Sequence, residues 1–166
     1  KRLTIQAGLR FENTNIKGYR YGNPVQQDSS FNRHYNNLFP TFYAMYSLDS
    51  TGKNVLSFSY SKRIDRPNYQ SMNPFTYPLD RFTLYSGNPF LQPTFSNNFE
   101  LAHTYLNAIT TTLHYSYVKD IISETIEQKS NTFYSRPGNI GTQHTYGVSV
   151  NLSYPLKKWW TVQDRK

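Results

Sequence analysis

The sequence predicts an all-β chain, an antiparallel meander of about six or seven strands. Three observations carry that expectation. Apolar residues recur at every second position in several segments, aromatic residues are abundant, and short connections alternate with long ones. The 166 residues include 15 tyrosines and 11 phenylalanines, whereas Ala, Leu, Glu and Lys are sparse. Aromatic, Thr-rich and Ser-rich chains suit a pleated, half-buried surface.

Side chains on a strand alternate between two faces, so a half-buried strand has period two. The first strand spans Arg2 to Glu12, with Leu3, Ile5, Ala7, Leu9 and Phe11 on one face and Thr4, Gln6, Gly8 and Arg10 on the other. Phe42, Ala44, Tyr46 and Leu48 form the apolar row of a second strand, although Tyr43 and Met45 opposite leave its facing open. Asp49 to Lys53 supplies turn residues, and Leu56, Phe58 and Tyr60 alternate with Ser57, Ser59 and Ser61 to complete a hairpin. The fourth strand places Phe99, Leu101 and Tyr105 against Asn98, Glu100, Ala102 and Thr104. A turn near Leu106-Asn107 leads to the fifth, where Ile109, Leu113, Tyr115 and Tyr117 oppose Thr110, Thr112, His114 and Ser116. Whether that strand continues through Ile122 and Ile126 stays open. The sixth sets Tyr146, Val148, Val150, Leu152 and Tyr154 against Thr145, Gly147, Ser149, Asn151 and Ser153, and Pro155 to Lys158 turns into a seventh that contains Trp159 and Trp160.

The connections after the second, fourth and sixth strands are a few residues long, whereas Asn13 to Leu38, Ile64 to Phe95 and about Asp120 to Gln143 are far longer. Compact domains rarely carry such connections, but outer-membrane barrels combine short periplasmic turns with long extracellular loops. Composition agrees with a membrane setting without proving it. No run of about 18 apolar residues is present for a spanning helix, but spanning strands need only about 9 to 11 residues. The segments Ala108 to Val118 and His144 to Tyr154 are each 11 residues long and contain no Asp, Glu, Lys or Arg, unlike the charged solvent face of a soluble sheet. Tyr60, Tyr105, Tyr115, Tyr117, Tyr146 and Tyr154 end or flank apolar rows, where an amphipathic ring suits the headgroup zone. The expected architecture is thus a partial transmembrane barrel over residues 1–166, with further strands needed for closure because no backbone group can stay unpaired in hydrocarbon. Both ends fall inside alternating patterns and read as cuts through a larger sheet. An isolated piece of this kind is expected to expose sheet edges and to self-associate.

One connection has a sequence of its own: Tyr60-Ser61-Lys62-Arg63-Ile64-Asp65-Arg66-Pro67-Asn68-Tyr69, then Asn73-Pro74-Phe75, then Gly87-Asn88-Pro89-Phe90-Leu91-Gln92-Pro93. It resembles the barrel region of TonB-dependent receptor-like outer-membrane proteins of the Bacteroidetes type, the outer membrane protein beta-barrel family. There "YSxRIDRPxYxxLNPF" precedes "GNPxLxP" and the strand "NFEL.YTY". Met72 and His103 depart from that pattern, and the motifs cover about residues 54 to 106. The resemblance implies a Gram-negative outer-membrane barrel of about 22 strands with an N-terminal plug, energised by TonB contact. The plug and remaining strands are expected outside this chain, which would transport nothing alone. It leaves the substrate open between a small molecule and an oligosaccharide, and the loops that bind it unknown.

Read physically, the motif residues Arg63, Asp65, Arg66, Pro67, Asn73, Pro74, Gly87, Asn88, Pro89 and Pro93 form a structural connection. Prolines fix their own backbone and extend the preceding residue. Gly87 is expected to permit a turn at positive φ. Asp65 is expected to pair with Arg63 or Arg66 at the barrel rim.

No enzymatic constellation stands out. There is no cysteine, the four histidines lie on separate segments without metal-ligand spacing, and no phosphate loop or nucleophile elbow occurs, so no cofactor and no catalytic residue is expected. The net charge of +8 comes largely from loops and strand ends, which points to solvated loops and anionic headgroups rather than nucleic acid. The competing expectation is a secreted all-β module for glycan binding or adhesion, in which the apolar face forms its own core and loop aromatics such as Tyr69, Tyr77 and Phe133 stack on sugars.

Overall fold

The computed structural model describes residues 2–21 and 29–153, so the expected seventh strand lies outside the described residues. The strands are β1 (Leu3–Arg20), β2 (Ser29–Ser47), β3 (Asn54–Asp65), β4 (Thr76–Pro78), β5 (Thr83–Ser86), β6 (Thr94–Tyr105), β7 (Ile109–Lys119), β8 (Ile122–Lys129), β9 (Thr132–Asn139) and β10 (Thr142–Leu152), with one helical turn, α1 (Tyr69–Met72), between β3 and β4. Six of the strands form a meander in the order β1-β2-β3-β6-β7-β10, every neighbouring pair antiparallel. This is the expected fold. Among the described residues β1 and β10 each have a single neighbour, so the sheet is an open arc.

Register sorts the residues into two faces. Opposed residues lie on the same side, so Ala7, Phe42, Tyr60, Phe99, Tyr115 and Tyr146 form one row across all six strands. Their rings step along the sheet, with centroids 4.8 Å apart for Tyr60 and Phe99, 5.9 Å for Phe99 and Tyr115, and 4.9 Å for Tyr115 and Tyr146. Rows on the same side carry Ile5, Ala44, Phe58, Leu101, Leu113 and Val148. The opposite face carries Gln6, Tyr43, Ser59, Glu100, His114 and Gly147, which places Tyr43 and Met45 with the polar side chains and closes the question of the second strand's facing. The apolar side is not a core: Leu9 is 69% and Val148 68% exposed. An apolar sheet face left this open needs a nonpolar surrounding.

Short turns join β2 to β3 and β6 to β7 at one end. In the first, the Asp49 carboxylate accepts hydrogen bonds from the Lys53 N–H and the Thr51 hydroxyl, both at 2.9 Å, and Gly52 takes φ 69°. In the second, Leu106 and Asn107 both have φ 54°, as a tight hairpin requires.

The opposite end departs from the expected loops. Most of the connection expected over 13–38 is strand, because β1 runs to Arg20 and β2 starts at Ser29. Here polar residues occupy both faces, so hydrophobic period two is lost while backbone pairing continues. Asn13 donates to Asn36 at 2.6 Å, and the His34 Nδ1 lies 2.6 Å from the Asn15 side-chain oxygen. β7 does not continue through Ile122 in the same sheet, since Asp120 at φ 59° breaks it. The connections expected over 64–95 and 120–143 instead build a second sheet, in the order β4-β5-β9-β8. Its β5–β9 pair is parallel, the one exception among these pairings to the antiparallel expectation.

Candidate functional site

Residues 66–93 fold against the polar face of the β1–β2 hairpin, and three of the four buried hydrophobic side chains among the described residues lie there, the fourth being Ala102 of β6. Phe39, on the polar face of β2, is 2% exposed beneath the Arg10 guanidinium, whose carbon sits 5.0 Å from the ring centre. Leu91, in the motif connection, is 1% exposed, and Met72 at the end of α1 is also buried. Burying Leu91 contributes about 2 kcal/mol. Arg33 on β2 reaches across to donate to the carbonyls of Leu91 at 2.5 Å and Phe90 at 2.9 Å.

The motif residues fall into three groups. Pro67, Asn73, Pro74, Gly87, Asn88, Pro89 and Pro93 come together in one tight connection. Asn68 caps α1 by accepting the Ser71 N–H at 2.6 Å, and the Asn73 side-chain oxygen accepts the Phe75 N–H at 3.2 Å. Asn88 fastens three segments: its N–H donates to Ser71 O at 2.7 Å, its amide to Pro137 O at 3.1 Å, and its side-chain oxygen accepts the Phe90 N–H at 2.9 Å. Gly87 is buried, and its role differs from the expected one. Its φ is not positive; a Cβ there would lie 2.3 Å from Asn73 O and 2.8 Å from Ser71 O, so close backbone approach excludes any larger residue.

Arg66 forms the second group and also departs from expectation. Its ion partner is Glu12 of β1, supported by a 3.4 Å hydrogen bond to the Thr14 hydroxyl, rather than Asp65. The Glu12 carboxylate raises the Arg66 pKa above its ordinary value, against slight burial that acts the other way. Strand alternation explains the change of partner. Asp65 is the last residue of β3, held in register opposite Thr94, while Arg66 leaves the strand and reaches over the hairpin. Arg63, the third group, stays in β3 opposite Ser96 and is exposed on the polar face. It borders a groove of about 610 Å³ with Arg10 and Phe39.

Between the motif connection and the outer part of the hairpin lies a cavity of about 600 Å³, lined by Ile16, Tyr69, Met72, Asn73, Phe90 and Arg136 among others. Tyr69 is 87% and Phe90 71% exposed, so two aromatic faces stand free at this mouth. Tyr77 and Tyr85 instead pack against each other in the loop sheet, with ring centres 5.2 Å apart and planes tilted by 39°, and burial followed by the nearby Tyr77 and Glu124 raises the Tyr85 pKa. Several contributors have no signal in the sequence. Asn139 exchanges hydrogen bonds with the Gln92 backbone at 2.8 and 3.0 Å and donates to Asp120 O at 2.8 Å, tying the two long connections together. Arg136 and Ile16 reach the cavity from segments far from the motif. Among the described residues no group of three His, Asp or Glu is placed to hold a metal.

A family model described as the outer membrane protein beta-barrel family matches residues 1–165. The chain belongs to that family. It is a barrel segment of the Gram-negative outer membrane, and its apolar face meets lipid. A search of the curated proteins finds no match. Among solved structures, the chain is similar to a double mutant of the Serratia marcescens hemophore receptor HasR in complex with its hemophore HasA and heme (TM-score 0.67, 16% identity, covering 89% of this chain and 28% of that one). It is likewise similar to the siderophore receptor PirA from Pseudomonas aeruginosa (TM-score 0.63, 16% identity, covering 93% of this chain and 32% of that one). These likenesses establish a shared receptor-barrel fold, of which the chain spans less than a third of either receptor. They also count against the secreted module with its own apolar core.

Proposed function

We propose that this segment belongs to a TonB-dependent receptor that takes up a nutrient across the outer membrane, and that its long connections shape the outer mouth of the transport path. The observation that carries this reading is the 600 Å³ cavity, whose wall combines aromatic faces from Tyr69 and Phe90 with the cationic Arg136. Such a wall suits a ligand with planar or sugar rings and acidic groups. The named functions of HasR and PirA agree with a receptor role. In this reading the motif residues from Arg66 to Pro93 are scaffold: they hold Tyr69 and Phe90 in place through the Asn88, Asn139 and Arg33 hydrogen bonds. The ligand is a small molecule or an oligosaccharide, and TonB engages a part of the receptor outside this chain.

The test compares cells carrying the full-length gene, a deletion, and a TonB-inactivated background. Each is offered labelled vitamins, ferric chelates, peptides and oligosaccharides. Uptake of one compound is expected to need both the gene and TonB. Uptake unchanged in the deletion, or independent of TonB, would overturn the reading. For that compound, Tyr69→Ala combined with Arg136→Ala should weaken binding to the purified receptor about tenfold or more, since about 1.4 kcal/mol corresponds to tenfold.

A further inference from the structure

The polar face of the spanning sheet is hollowed just inward of the loop layer. Gly8, Thr41 and Ser61 stand opposite one another on β1, β2 and β3, so one row of this face holds no large side chain. Arg10, Phe39 and Arg63 each lie two residues further toward the long connections on the same three strands and form the next row. Together the two rows line the groove of about 610 Å³, a size that suits a small solute. Gly8 keeps the floor low, since a Cβ there would lie 2.6 Å from the Thr41 hydroxyl oxygen.

The walls of this groove are cationic, and no carboxylate lines it. The Arg10 guanidinium is fixed from two sides, by the Phe39 ring 5.0 Å beneath it and by the Glu12 carboxylate 3.0 Å from its Nε, yet the side chain is 62% exposed. Glu12 is already shared with Arg66. Arg63 stands across the row, exposed, and among the described residues it forms no ion pair, not even with Asp65 two residues along the same face. With strands about 4.8 Å apart, the Arg10 and Arg63 Cα atoms are about 10 Å apart, so both side chains can reach one group between them. Two cations that face one hollow repel each other unless an anion joins them.

We infer that this groove binds an oxyanion, the carboxylate or phosphate group of a small solute. Arg63 and Arg10 grip it from either side, and the Ser61 and Thr41 hydroxyls donate from the floor. The Thr41 hydroxyl otherwise donates to Gly8 O at 3.4 Å, a long bond that an anion outcompetes. The occupant is a small solute rather than a protein segment, because the hollow is confined to two rows on three strands. Along β1 it lies six residues, about 20 Å, inward of Ile16 at the outer cavity, which makes it a second station on the same path. The inference rests on the uptake reading for what brings a solute there, and it narrows the substrate to acidic compounds.

The experiment uses the full-length receptor in mild detergent at low ionic strength, with citrate, inorganic phosphate and neutral glycerol as probes. Saturation-transfer NMR reads citrate and glycerol, and phosphorus line broadening reads phosphate. Citrate, phosphate or both are expected to bind and glycerol is not, and the anion that binds separates a carboxylate solute from a phosphate one. Arg63→Gln should weaken that binding about tenfold, the scale of one lost charged hydrogen bond. Arg63→Lys should retain most of it, and Lys129→Gln, which removes one charge in the loop sheet, should leave it unchanged. If the Arg63→Gln variant does not fold, phenylglyoxal labelling of the unaltered receptor decides, since a bound anion should protect Arg63 and not Arg81. Absence of anion binding, equal binding of glycerol, an equal loss in Lys129→Gln, or undiminished binding to a folded Arg63→Gln variant would overturn the inference. TonB-dependent uptake together with no anion binding would leave the uptake reading standing and remove only this site.

Discussion

In the spanning sheet Leu101, Leu113 and Val148 remain exposed and depend on the surrounding lipid, whereas in the loop layer on its other face Leu91 and Met72 are buried by protein. The first region is organised by a face that repeats on every strand, so its residues are interchangeable provided they remain apolar and of the right parity. The second has no repeating face. It is held by single, unlike contacts: Asn88 on Ser71 and Pro137, Asn139 on Gln92 and Asp120, Arg66 on Glu12. A membrane sheet therefore tolerates substitution by class, and the loop layer by position.

The largest expected effect tests that contrast within one strand. Leu113 and Thr112 are neighbours on β7 with opposite facing. In the full-length barrel Leu113→Arg should cost about 2–4 kcal/mol of folding stability in lipid, as for a cation placed near the midplane on a lipid face, while Thr112→Arg should cost far less. Urea titration of the refolded barrel in phosphatidylcholine vesicles measures both, and equal costs would break the assignment of the faces.

Next in size are changes within the loop layer. Gly87→Ala drives a methyl group into the Asn73 and Ser71 backbone and should cost about 1–3 kcal/mol. Asn139→Ala leaves the Gln92 N–H and two carbonyls without their partner and should cost a similar amount. Both should raise proteolytic cleavage within residues 66–93 in the full-length receptor, while barrel migration on gels stays unchanged. Unaltered cleavage would show that the connection does not depend on these contacts.

The smallest effect concerns pH. The Asp80 carboxyl is held below its ordinary pKa, first by the Phe82 N–H at 2.7 Å and then by Thr83, whose N–H lies at 2.8 Å; slight burial works in the opposite direction. A lowered folded pKa means that the contribution is present above the unfolded value and is lost as pH falls through the folded one. Amide exchange at Phe82 and Thr83, corrected for its intrinsic pH dependence, should therefore rise below about pH 4, and Asp80→Asn should flatten the response. No change in the unaltered protein would remove Asp80 from the account.

The amino-acid sequence by itself determined the spanning sheet. Leu3 to Phe11 and Tyr146 to Leu152 alternate because a strand between lipid and a polar interior has to, and Asp49 to Lys53 and Leu106-Asn107 mark turns with chemistry that acts over a few residues. The motif from Arg63 to Pro93 pointed to the family for the same reason, as a contiguous run. Tertiary structure decided what depends on distant partners. The outer halves of β1 and β2 are strands although polar on both faces, since their mutual backbone pairing needs no hydrophobic pattern. Arg66 turned to Glu12, Gly87 proved necessary for close approach rather than for φ, and Arg33, Arg136 and Asn139 joined the site from elsewhere in the chain. Local periodicity reads which way a side chain faces. It does not read which distant backbone will come to meet it.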